Sequence, residues 1–83
     1  MSRRPISGGE LHITPRQRQI LDLAVRGCTD KEIAADMGIA VSTVRTYLER
    51  FYRENQLRNK AEAVAAWQHY IDAERQKTGR SAR

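Results

Sequence analysis

The segment VRTYLER, residues 44–50, sets two guanidinium groups and one carboxylate within a single short stretch, and Ser42, Thr43 and Arg53 extend the polar run on either side. Guanidinium is a rigid donor fork that can meet the O6 and N7 acceptors of guanine, or two oxygens of a phosphate. The hydroxyls of Ser42, Thr43, Thr46 and Tyr47 suit phosphate oxygens, and the methyl group of Thr46 suits that of thymine. This is the chemistry of non-covalent recognition of a polyanion that carries base edges. Against it stands Glu49, a carboxylate that would face the same polyanion.

Other chemistries find no spelling in the chain. His12 and His69 are far apart and the lone Cys28 completes no ligand spacing, so no metal site is expected. Neither a nucleophile–base arrangement nor a Gly-rich phosphate loop is present, so neither catalysis nor a cofactor is expected. Fifteen Lys plus Arg against 10 Asp plus Glu give a net charge of +5, which favours nucleic acid or an acidic membrane surface as partner. No stretch approaches the ~20 apolar residues of a membrane span, and the basic N-terminus lacks the apolar run of a signal peptide. One cysteine cannot form an internal disulfide. The expectation is a cytoplasmic protein without a membrane partner.

The elements that position the polar run are well punctuated. Eighty-three residues with 40% hydrophobic content make one small domain. Pro5, Gly8 and Gly9 mark residues 1–12 as a flexible arm, residues 13–76 carry the helical pattern, and residues 77–83 read as a flexible basic tail. Thr14-Pro15-Arg16-Gln17 spells a capping box with proline at the first helical position. Ile20, Leu21, Ala24 and Val25 then recur at helical spacing until Gly27. Thr29-Asp30-Lys31-Glu32 repeats the box and opens a short second helix through Ile33, Ala34 and Met37, ended by Gly38. Val44, Leu48 and Phe51 mark the inward face of a third helix over about 41–54. Asn59-Lys60-Ala61-Glu62 opens a fourth, running to about Arg75. The fold class is all-α, with four helices.

Only Ile39 and Ala40 separate Gly38 from the third helix. Ala34 at a close helix approach, Gly38 in the turn and Val44 as the anchor beyond it together spell a helix-turn-helix, whose second helix enters the major groove of DNA. Placing the third helix at about 100° per residue sends Ser42, Thr46, Glu49 and Arg53 outward, flanked by Arg45 and Arg50. Arg45 is the first candidate for base readout, with Thr46 beside it. Thr43, Tyr47, Arg50 and Arg53 lie where phosphates would run, and Lys31 at the start of the second helix is placed to join them. Glu49 falls four residues after Arg45 and four before Arg53, a spacing that would let it hold Arg45 extended; its alternative role is to accept a cytosine N4 proton.

The words LHITPRQRQILDLAVRGCTDKEIAADMGI and STVRTYLERFYRENQLRNKAEAVAAW, which span roughly residues 11–67, resemble the LuxR-type (GerE-like) helix-turn-helix domain of bacterial transcription regulators. TPRQRQIL, KEIA, STVRTYL and RNKAEAV carry the likeness most specifically. The resemblance implies a sequence-specific double-stranded DNA-binding regulator in which the positions of Arg45, Thr46 and Glu49 reach base edges and the fourth helix often serves dimerisation. The chain departs from the family pattern at Ala40, where a Ser or Thr cap is usual, at Asn55, where an apolar residue is usual, at Tyr47, where histidine is common, and at Glu49, where a basic or small polar residue often sits. The fourth region of sigma factors shares the Gln-Arg-rich first helix and the GI-x-x-x-TV turn, but RNKAEAVAAW favours the LuxR-type reading. Most LuxR-type domains follow a receiver or ligand-binding domain, for which 83 residues have no room, so the sequence reads either as a stand-alone regulator or as a part excised from a larger one.

On the fourth helix, Ala61, Val64 and Ala65 are expected to face the bundle. That leaves Ala63, Ala66, Trp67 and Tyr70 as the candidate surface for a homodimer, which would match a palindromic site. A rival reading makes the domain a protein-interaction adaptor that docks on RNA polymerase or another regulator, motivated by Glu49 and by Tyr47, Tyr52 and Trp67.

Overall fold

The computed structural model describes residues 11–82, with side chains to residue 76. Among these residues the elements are four helices: α1 (Pro15–Ala24), α2 (Asp30–Met37), α3 (Val41–Glu54) and α4 (Lys60–Ala82). Residues 1–10 of the expected arm lie outside the described ones, and Leu11 and His12 do not belong to an arm. Leu11 packs on the core, and the backbone of His12 is bonded at both N–H and C=O to the side chain of Asn55.

Two of the three expected capping boxes form as spelled, those of α1 and α2. In α1 the Gln17 N–H donates to Thr14 Oγ1 at 3.1 Å while the Thr14 N–H donates to Gln17 Oε1 at 2.9 Å. Thr29 and Glu32 make the same reciprocal pair at the start of α2. At α4 the Glu62 N–H donates to Asn59 Oδ1, but Glu62 reaches back one residue further than the standard box and accepts from the Arg58 N–H. Helix α3 starts on Ala40 with no side-chain cap.

Three helices end on one motif. Gly27 (φ +93°) and Gly38 (φ +68°) turn left-handed, so that Cys28 N–H reaches Leu23 O and Ile39 N–H reaches Ala34 O across the last turn. Gln56 (φ +57°) does the same after α3, and Leu57 N–H donates to Tyr52 O at 2.7 Å. A side chain in that conformation is strained by about 1–2 kcal/mol, so the third motif is held against its residue's preference.

The core draws on all four helices: Ile20, Leu21 and Ala24 from α1, Ile33 and Ala34 from α2, Val44, Leu48 and Phe51 from α3, Ala63 and Trp67 from α4. The inward face of α4 is therefore the reverse of the expected one. Ala63, Ala66 and Trp67 are buried, while Ala61 and Ala65 are exposed and Val64 is half-buried. Trp67 sets this register, because its ring carries the largest apolar surface of the helix and its Nε1–H finds a partner on α1, Asp22 Oδ1 at 2.9 Å. Arg18 lies 5.5 Å above the same ring and Tyr70 stacks on it at 5.4 Å. Helix α4 also runs past Arg75 to Ala82. Gly79 alone, costing about 1 kcal/mol relative to alanine, is too weak a stop. The side chains of the expected basic tail lie outside the described ones.

Candidate nucleic-acid interface

Burial of Val44, Leu48, Phe51 and Asn55 fixes the rotation of α3. Asn55 donates to Phe51 O at 3.0 Å and to His12 O at 2.8 Å, and accepts the His12 N–H at 2.9 Å, so a buried polar side chain has every group bonded. Gln17 is buried completely and works twice: beyond its cap, Nε2 donates to Tyr47 O at 3.3 Å, which ties the start of α1 to the middle of α3. Sequence alone reads Gln17 only as a cap and Asn55 only as a departure, since the partners of both lie 30 or more residues away.

With that rotation, Ser42, Arg45, Thr46, Glu49, Arg50 and Arg53 are exposed, and Thr43 and Tyr47 are half-buried. The outward set is the expected one, and it divides into two flanks. Ser42, Thr43, Thr46, Tyr47 and Arg50 line a shallow depression of about 280 Å³. Thr46 donates its hydroxyl proton to Ser42 O at 3.0 Å, which leaves its oxygen as an acceptor and its methyl group as the apolar contact. The other flank carries Arg45 and Tyr52. Burial pushes the Tyr52 phenol above its usual value, with the Asp30 and Glu49 carboxylates adding to it, so the hydroxyl stays neutral at physiological pH.

Glu49 does not hold Arg45. The carboxylate that meets Arg45 is Asp30, whose Oδ2 lies 3.5 Å from Nε, and neither Arg45 nor Arg53 forms an ion pair with Glu49. Asp30 in turn is held by Lys60 Nζ at 3.1 Å. Sequence reasoning sees both residues only as parts of capping boxes, because no helical periodicity connects positions 30, 45 and 60. Lys31, one residue on, is exposed at the start of α2.

The dimer candidates are not brought together on a surface. Ala63, Ala66 and Trp67 face the bundle of their own chain, and Tyr70 stacks on Trp67. The outward strip of α4 consists instead of Ala61, Ala65, Gln68 and Asp72, the last two hydrogen-bonded at 3.3 Å, with Val64 and Ile71 half-buried beside it. Among the described residues no cluster of three or more His, Cys, Asp or Glu is placed to hold a metal ion, and no helix is long and apolar enough to cross a membrane.

Comparison with known proteins identifies the family of the fold. The chain is 36% identical over 55 residues to the probable transcriptional regulator ycf29 of Cyanophora paradoxa, a match covering 66% of this chain and 26% of that protein. It is 33% identical over 61 residues to the probable HTH-type transcriptional regulator GfsR of Streptomyces halstedii, covering 74% of this chain and 25% of that one. To the nitrate/nitrite response regulator protein NarL of Escherichia coli K12 it is 37% identical over 57 residues, 69% of this chain and 26% of NarL. The chain thus spans about a quarter of the length of these relatives. The family described as bacterial regulatory proteins, luxR family (GerE), matches residues 11–66, which include every helix from α1 to the first turns of α4. Matched by that family's model over well more than half of its length, and folded into the same order of helices, the chain belongs to the luxR family of bacterial regulatory proteins.

Proposed function

We propose that the chain is the sequence-reading part of a transcription regulator, with α3 in the major groove of double-stranded DNA. The observation that carries it is the rotation of α3: four buried side chains on one face and an opposite face that is polar throughout, with Arg45, Arg50 and Arg53 all exposed. Arg45 meets guanine O6 and N7, the methyl group of Thr46 meets thymine, Ser42 reads the neighbouring position, and Glu49, without an ion pair among the described residues, accepts a cytosine N4 proton. Lys31, Thr43, Tyr47, Arg50 and Arg53 meet phosphate oxygens and set the register.

A short reading helix covers few base pairs, so specificity grows by pairing two copies on a two-fold site with half-sites about one helical turn apart. The copy would dock on α4 through Ala61 and Ala65, small residues that allow close approach, with Val64 and Ile71 at the edge. Such a regulator works beside the bacterial chromosome, in the cytoplasm. Repeated selection from a pool of random duplexes tests the reading: one short motif, alone or as an inverted repeat, should be enriched. A pool that stays random after several rounds would end the proposal and favour an adaptor that docks on protein.

A further inference from the structure

Asp30, the first residue of α2, lies between two cations from other helices. Its Oδ2 is 3.5 Å from Arg45 Nε on α3, and its Oδ1 accepts from Lys60 Nζ at 3.1 Å at the start of α4. Lys60 Nζ also donates to the Cys28 carbonyl at 3.1 Å, so its ammonium is held both by the loop before α2 and by the first residue of that helix. The carboxylate is the sheltered end of the chain of contacts, 24% exposed, and the guanidinium is the presented end, 65% exposed.

The point of attachment decides what is left for a ligand. A guanidinium has one inner nitrogen, Nε, and two terminal ones. The nitrogen nearest Asp30 is the inner one, in an ion pair rather than a hydrogen bond, and among the described residues no hydrogen bond engages the terminal pair, which is the fork that fits guanine O6 and N7. Arginine carries a large rotamer entropy that is lost when it reads a base, and an arginine already restrained at Nε loses less.

We propose that Asp30 is a positioning residue for Arg45 and that Lys60 fixes Asp30, so that base reading by α3 is set through α2 from the start of α4. This rests on Arg45 being a base reader. Electrostatics alone predicts the opposite sign: Asp30 is an anion beside a polyanion, so its removal should tighten binding to every sequence. Positioning predicts a loss confined to one base pair.

The probe is the duplex recovered by repeated selection on the unaltered chain, with a panel carrying each single base-pair change and one random duplex. Arg45→Ala should flatten discrimination at one pair by about 5- to 150-fold. Asp30→Asn should flatten the same pair by about 3- to 30-fold while binding to the random duplex is unchanged or tighter, and adding it to Arg45→Ala should cost nothing more. Lys60→Met should reproduce the effect in weaker form and Lys60→Arg should restore discrimination. Because Lys60→Met leaves the α2 cap untouched, it carries the test should Asp30→Asn melt at a lower temperature. Tighter binding everywhere with discrimination intact would overturn the proposal, and so would equal losses on every duplex. If Arg45→Ala flattens a pair that Asp30→Asn and Lys60→Met leave alone, positioning fails by itself; if Arg45→Ala changes no pair, the reading of Arg45 fails and positioning with it.

Discussion

Arg45 and Glu49 are one helical turn apart, yet they sit in different electrostatic surroundings. Arg45 leans to Asp30 across the helix-turn-helix, whereas among the described residues Glu49 forms no ion pair and instead helps to raise the Tyr52 phenol above its usual value. On this account Glu49→Gln should lose preference at a single base pair by about 1–3 kcal/mol, measured by titration against duplexes changed one pair at a time. Uniformly tighter binding would instead make the carboxylate a mere source of repulsion. At Asn55 the issue is stability. Its amide satisfies three backbone groups at the junction of α3 with the segment before α1. Asn55→Leu keeps an apolar volume there but leaves those groups without the side chain, and chemical denaturation should show a loss of about 1–3 kcal/mol.

At the level of elements, local signals carried far and distant ones did not. Thr14, Thr29 and Asn59 announce three helix starts, and Gly27 and Gly38 two ends, because caps and left-handed turns are written in neighbouring residues. The outward face of α3 was equally legible, since Val44, Leu48 and Phe51 leave one choice of rotation. Helix α4 was not: its alanines offer two apolar strips, and only the Trp67–Asp22 bond, from a helix 45 residues away, decides between them. The third turn, after α3, was hidden for another reason, as Gln56 occupies a position that usually calls for glycine. Gln56→Gly should therefore stabilise the domain by about 0.5–1 kcal/mol, part of the relieved strain being offset by the greater freedom of an unfolded glycine. A lower melting temperature for that variant would argue against a strained turn.

For the whole molecule, the register of α4 separates folding from assembly. Trp67→Ala should cost about 3–5 kcal/mol in unfolding free energy, a large share of the stability of so small a domain. Ala65→Glu, on the outward strip, should leave unfolding within about 0.5 kcal/mol and shift sedimentation of the DNA-bound species from two copies to one. Unchanged assembly with Ala65→Glu would move the dimer contact elsewhere.

In the proposed function a basic face of α3, with Lys31 beside it, grips phosphates while its apex reads bases. Affinity for the selected duplex, measured as salt is raised, tests it most directly. Lys31, Arg50 and Arg53 together predict a fall in log K with log salt of slope about −3 per bound subunit, eased by about 1 in Lys31→Ala, which should weaken selected and random duplexes alike. A flat dependence on salt, or a slope that Lys31→Ala leaves untouched, would contradict the account.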